Sequence, residues 1–179
     1  VLDIINLYKT YNIKFSSTLI YKVEKMFLWL ESMSHPDGEI SFFNDSAHFI
    51  APNFEKLLSY ANRLNLNIRK KNKTYIDLKD SGYCYISNKN MKVIIDRCNL
   101  VSSYQPGHSH SDTLSFECSL FNKRFIVNSG ISTYENNFER HLNRSSISHS
   151  CVVINQTNST EVWSSFRVGN RANIIKKSK

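Results

Sequence analysis

The stretch TLSFECSLFNKRFIVNSG, Thr113 to Gly130, decides the fold. Leu114, Phe116, Cys118 and Leu120 alternate with Thr113, Ser115, Glu117 and Ser119. Successive side chains of an extended chain point to opposite faces, so a period of two predicts a half-buried strand with its apolar residues inward. On that reading Glu117 lies on the polar face, solvated or paired. FNKRF, Phe121 to Phe125, predicts a hairpin turn leading into FIVNSG.

Working outward, the same texture recurs. YCYIS at 83–87, KVIID at 92–96, CVVIN at 151–155 and VWSSFRV at 162–168 read as short strands. Their succession predicts an antiparallel β-sandwich. Upstream of Arg69 the period changes. Leu19, Val23, Met26, Phe27, Leu30 and Met33 recur at intervals of three and four, the stripe of an amphipathic helix, with Ser16-Ser17-Thr18 as its cap. Pro36 and Asp37-Gly38 then demand a turn. A second helix is expected after Pro52-Asn53, carried by Phe54, Leu57, Leu58, Ala61 and Leu64. KKNK, Lys70 to Lys73, reads as a solvated linker. The expectation is an α+β chain, with helices over 1–69 and strands over 70–179.

The composition, 41% hydrophobic and 21% charged, is that of a globular protein. A formal net charge of +8 favours an acidic partner. The basic residues are dispersed, with one short cluster at Lys176, Lys177 and Lys179, and no nucleic-acid motif is present, so nucleic acid is not the expected partner. No apolar run reaches the roughly 18 residues of a membrane span. Cys84, Cys98, Cys118 and Cys151 lack metal-finger spacing and read as buried free thiols. The chain begins at Val1, and its first residues look like the middle of a longer protein.

PGHSHSDTLSFE, Pro106 to Glu117, carries the chemistry-bearing residues. In an extended segment His108, His110 and Asp112 project to one side. Imidazole nitrogens and a carboxylate are suitable zinc ligands, and His149, just before a predicted strand, is a further candidate. A solvated polar loop is the alternative. The metallo-β-lactamase pattern His-x-His-x-Asp-His does not apply, because Thr113 stands at its last position and a strand, not a helix, follows.

PGHSHSDTLSFECSLFNKRFIVNSGISTYE, followed by RHLNRSSISHSCVVINQTNSTEVWSSFRVGNRA, resembles the heparinase II/III-like family of polysaccharide lyases. The upstream block MFLWLESMSHPDGEISFFNDSAHFIAPN is similar to the end of that family's helical domain. The resemblance implies the last helices of an α/α toroid followed by the start of a β-sandwich. It implies cleavage of an acidic, uronic-acid-containing polysaccharide by β-elimination, in the periplasm or cell envelope, with bacterial surface polysaccharides the favoured substrates.

By the same resemblance His108 and Tyr134 are catalytic, Arg144 holds a substrate carboxylate or pins its loop, and His110, His149 and Asn128 are positioned as ligands of one divalent metal, zinc. Asn128 departs from the family, which often has Asp there, and a neutral carbonyl oxygen binds zinc more weakly. Ser150 departs from a common Asn. Asp112 is expected to support the loop, and Trp163 and Phe166 to pack in the core, with a sugar-stacking surface as the alternative. The toroid residues that neutralise the substrate carboxylate are expected upstream of Val1, so the chain alone is expected to be inactive. The competing expectation is a non-catalytic glycan-binding or structural module.

Overall fold

A computed structural model describes residues 1–99 and 104–175. The Lys176, Lys177 and Lys179 cluster lies outside the described residues. Three helices come first: α1 (Leu2–Thr10), α2 (Ser17–Met33) and α3 (Phe54–Arg63). Ser16 caps α2 by accepting a hydrogen bond from the Thr18 N–H, and Asn53 caps α3 by accepting from Lys56 at 3.2 Å. Ile5, Val23, Phe27, Phe54, Ala61 and Leu64 close one core between the helices. The sequence pattern found α2 and α3 at their caps. It did not separate α1.

Strands β1 (Tyr75–Leu78), β2 (Tyr83–Ser87), β3 (Met91–Asp96), β4 (Phe116–Leu120) and β5 (Lys123–Ile126) form one antiparallel sheet in chain order. The β4–β5 turn is only Phe121-Asn122, both left-handed at φ 50° and 63°, so β5 starts inside the expected turn. A second core of Met33, Phe43, Ile76, Tyr83, Tyr85 and Ile94 joins the end of α2 and the following loop to this sheet. Lys92 fastens the same junction, donating to the Glu31 carbonyl at 2.8 Å and the Ser34 carbonyl at 2.6 Å near the C-terminus of α2.

A short helix α4 (Phe138–Arg144) and a two-stranded ribbon, β6 (Val162–Trp163) and β7 (Arg167–Val168), complete the α+β fold. Residues 151–155 make a single bridge, Ile154 to Thr157, where a strand was expected. All four cysteines are free, Cys84 and Cys118 buried and the other two half-buried.

β4 departs from the expected half-buried pattern: its polar side is the more deeply buried one, while Cys118 on the other side is buried too. Leu114 is left-handed (φ 62°), half-exposed and outside the strand. Ser115, Glu117 and Ser119 are almost wholly buried. Glu117 is fully buried because donors from two segments, the loop after α2 and the segment after β5, converge on it. His35 Nε2 lies 2.7 Å from Oε2, and the Phe42 and Asn128 N–H groups donate to Oε1 at 2.7 and 3.1 Å. His35 Nδ1 meets Ser119 Oγ at 2.6 Å. A buried carboxylate is tolerable only when hydrogen-bonded this completely.

Candidate active site

Pro106 starts a 3₁₀ turn, Pro106–His108, that delivers His108 and His110 to one place. What organises them comes from a segment more than 60 positions earlier in the chain. In the loop after α2, Asn44 takes a left-handed turn (φ 54°), which asparagine tolerates. Its Oδ1 accepts the His110 N–H at 3.1 Å. The next residue, Asp45, accepts from His108 Nδ1 at 2.8 Å and His110 Nε2 at 2.7 Å. It also accepts from both terminal nitrogens of Arg140, Nη1 and Nη2. Burial acts to raise the Asp45 pKa, but the hydrogen bonds from His110, Arg140 and His108 outweigh it and hold the carboxyl at about 2.

These contacts fix the histidine tautomers. A carboxylate only accepts, so His108 Nδ1 and His110 Nε2 carry the protons. His108 Nε2 is therefore bare in the neutral ring, and that ring is 60% exposed. His110 is wholly buried, and burial, aided by Arg140 and Arg144, pushes its pKa down despite Asp45.

Tyr134 meets His108 edge to face, ring centres 5.8 Å apart. Burial and then Asp45 raise the Tyr134 pKa, against Arg140. The phenol therefore keeps its proton and suits the role of acid. Sequence reasoning paired His108 with Tyr134, and the structure brings them together.

The expected metal set can be tested on its donors. His110 Nδ1 and His149 Nε2 lie 3.3 Å apart, a spacing that two ligands of one tetrahedral ion could share. Asn128, however, presents its Oδ1 to the other nitrogen of His149, Nδ1, at 3.3 Å, and that oxygen also accepts the Ser150 N–H at 3.2 Å. Its amide nitrogen is buried without a hydrogen-bond partner among the described residues. No group of three His, Cys, Asp or Glu side chains among the described residues is arranged to hold a metal ion. Two imidazoles and an averted neutral amide do not fit a resident zinc. Burial, with His110 adding to it, holds His149 near a pKa of about 3, so its ring is neutral.

Arg144 is corrected as a substrate ligand. It is buried, and its guanidinium donors all go to backbone carbonyls: Nε and Nη2 to Ser109, Nη1 to Trp163 and Ser164, and Nη2 to Arg167. It pins loops together and has no fork left for a carboxylate. Asp112 is buried and takes backbone hydrogen bonds from Asn44 and its own residue, the supporting role expected of it. Burial and then Asp96 push its pKa well up. Trp163 and Phe166, expected in the core, are half-exposed.

Sequence reasoning missed Asp45 and Arg140. Neither sits in a periodic pattern. The available signal was that both fall inside the blocks resembling the lyase family.

No curated protein matches the sequence. Among solved structures, heparan sulfate lyase HepC from Pedobacter heparinus superposes with a TM-score of 0.71 at 21% identity, over 88% of this chain and 28% of that one. Heparinase III gives a TM-score of 0.69 at 16% identity, over 88% and 30%. The heparinase III-BT4657 gene product gives 0.67 at 17%, over 83% and 27%. The chain thus spans less than a third of the length of each of these lyases. At such identities the likeness shows the fold. Residues 70–179 match the family described as Heparinase II/III-like, C-terminal, and the chain belongs to that family.

Proposed function

We propose that the chain carries part of the catalytic cleft of a polysaccharide lyase that breaks uronic-acid-containing polymers by β-elimination in the periplasm or cell envelope. The observation that carries this reading is the pinned His108. Asp45 holds Nδ1, which leaves Nε2 of a 60% exposed ring free of that carboxylate, with the Tyr134 ring alongside.

In β-elimination a base removes the proton on the carbon beside the sugar carboxylate. The electron pair forms the new double bond, and the bond to the linked sugar oxygen breaks as an acid protonates that oxygen. In this reading His108 Nε2 is the base and Tyr134 the acid. The carbanion is tolerable only if the sugar carboxylate is neutralised. Neither nearby arginine can do that: Arg140 is paired with Asp45, and Arg144 is committed to carbonyls. That group must come from elsewhere, so the isolated chain should bind but not cleave.

The test is to titrate the chain with heparan sulfate, alginate and neutral cellulose oligosaccharides, following His108 and Tyr134 by NMR and ultraviolet absorbance for new double bonds. The expected result is that an acidic oligosaccharide shifts His108 and Tyr134 signals with no absorbance rise. Acidic glycans that bind elsewhere on the chain would sink the cleft reading and favour a non-catalytic module. A rise in absorbance that His108→Ala abolishes would show the chain to be sufficient for cleavage.

A further inference from the structure

We infer that the hairpin Val162–Val168 is a preformed sugar-stacking platform, on which Phe166, beside Tyr134, receives the apolar face of one pyranose ring of an acidic polysaccharide. This deepens the function proposed above and rests on it.

The hairpin has two residues per strand, too few to hold its own shape. Two buried arginines hold it instead. Arg144 donates to the carbonyls of Trp163, Ser164 and Arg167 at 3.4, 3.1 and 3.1 Å, and Arg140 Nε donates to Ser165 at 3.0 Å. The tip is strained, with Ser164 left-handed at φ 50°. Burying two guanidinium groups is costly unless every donor is used. Here that cost fixes the backbone of a surface loop, and fixing a surface loop matters for what the loop presents.

What it presents is Phe166, which is 46% exposed. Its ring stacks beside Tyr134, centres 5.6 Å apart and planes 27° apart, and lies 6.0 Å from the His108 ring. The Arg140 guanidinium sits 5.5 Å from the Phe166 centre and 5.2 Å from that of Tyr134. Its charge is balanced by Asp45, so the rings rest on a neutral base. The seat is tight: a Cβ at Gly107 would come 3.2 Å from that of Phe166, which places the hairpin flush against the loop bearing His108.

A half-exposed, rigid pair of aromatic rings suits a flat partner with an apolar face, and binding to it costs little ordering. The C–H face of a pyranose is such a partner. A sugar seated on Phe166 would bring the next residue of the polymer to His108, and the net charge of +8 favours an acidic polymer.

The experiment compares the full chain with Phe166→Ala and Phe166→Trp, using heparan sulfate and alginate oligosaccharides and neutral cello-oligosaccharides as probes. The readouts are dissociation constants and NMR saturation transfer between ring and sugar protons. Phe166→Ala should weaken binding of an acidic oligosaccharide about fivefold or more, the order of one stacked aromatic contact, while Phe166→Trp stays within about twofold. Amide spectra of both variants check that the hairpin keeps its fold. Unchanged affinity in Phe166→Ala, with His108 signals still shifting, overturns the platform and leaves the lyase reading standing. Equal, Phe166-dependent binding of the neutral probe leaves a platform but sinks the acidic-polymer reading. No binding of any probe overturns the platform.

Discussion

Asp45 is one carboxylate on which two histidines and a buried arginine converge, and its loss should reach all three. Asp45→Asn leaves the Arg140 charge buried and uncompensated and turns an amide N–H₂ toward the donors. The expected cost is roughly 3–5 kcal/mol in urea unfolding, the usual result of breaking a buried pair from one side. Acid should act on this site in two stages, first at His149, which neighbours His110, and then at Asp45. His149 has a folded pKa of about 3 against an ordinary 6.5, because burial and then His110 disfavour its charged form. Its contribution is complete above pH 6.5 and declines as pH falls from there toward 3. Asp45 lies at about 2 against 3.8, so its stabilisation is complete above pH 3.8 and is lost as pH falls through about 2. The urea midpoint should therefore drop between about pH 7.5 and pH 5, and His149→Gln should flatten that drop. A midpoint constant over this range would contradict the buried neutral ring. The histidines of this cluster were legible in the sequence because His-x-His-x-Asp is a short-range pattern. Asp45 was not, because its partners lie 63, 65 and 95 positions away in the chain.

At the level of elements, legibility followed local physics. Helices α2 and α3 announced themselves by cap and stripe, and β2 and β3 by β-branched and aromatic runs between turns. The expected strand at 151–155 did not form beyond one bridge, although Val152, Val153 and Ile154 favour extension, because propensity without a paired neighbour makes no ladder. The β6–β7 ribbon is the opposite case, two-residue strands whose shape is imposed from outside by Arg144. Arg144→Lys tests that dependence, since lysine keeps a charge but not a planar five-donor fork. The substitution should strip several carbonyls of their donor and lower hydrogen-exchange protection across residues 163–168. The five-stranded sheet should keep its protection. Equal loss in both would mean that Arg144 supports the whole fold rather than this ribbon.

Across the whole molecule, the buried polar face of β4 shows why a period of two gives a strand but not its orientation. The pattern predicted extension correctly, yet the polar side is the more deeply buried one because the loop following α2 brings its own polar partners to it. Glu117 is where the segments meet. It receives His35 and Phe42 from the loop after α2, and Asn128 from the segment after β5, and Asn128 in turn faces His149. The junction and the candidate site are therefore mechanically continuous, since Phe42 lies three positions before Asp45 on the same loop. Glu117→Ala would leave His35 and two backbone N–H groups unsatisfied in the interior, a loss of roughly 3–5 kcal/mol. Glu117→Gln keeps an oxygen for the two N–H groups and can meet His35 with its amide if that ring changes tautomer, so the loss should be nearer 1 kcal/mol. Urea unfolding measures both. NMR should also show the His108 and His110 signals moving in Glu117→Ala, although the hydrogen bonds that position 117 loses are those to His35, Phe42 and Asn128. If Glu117→Ala lowers stability without moving those signals, the junction holds the helices to the sheet but does not set the geometry of the cleft.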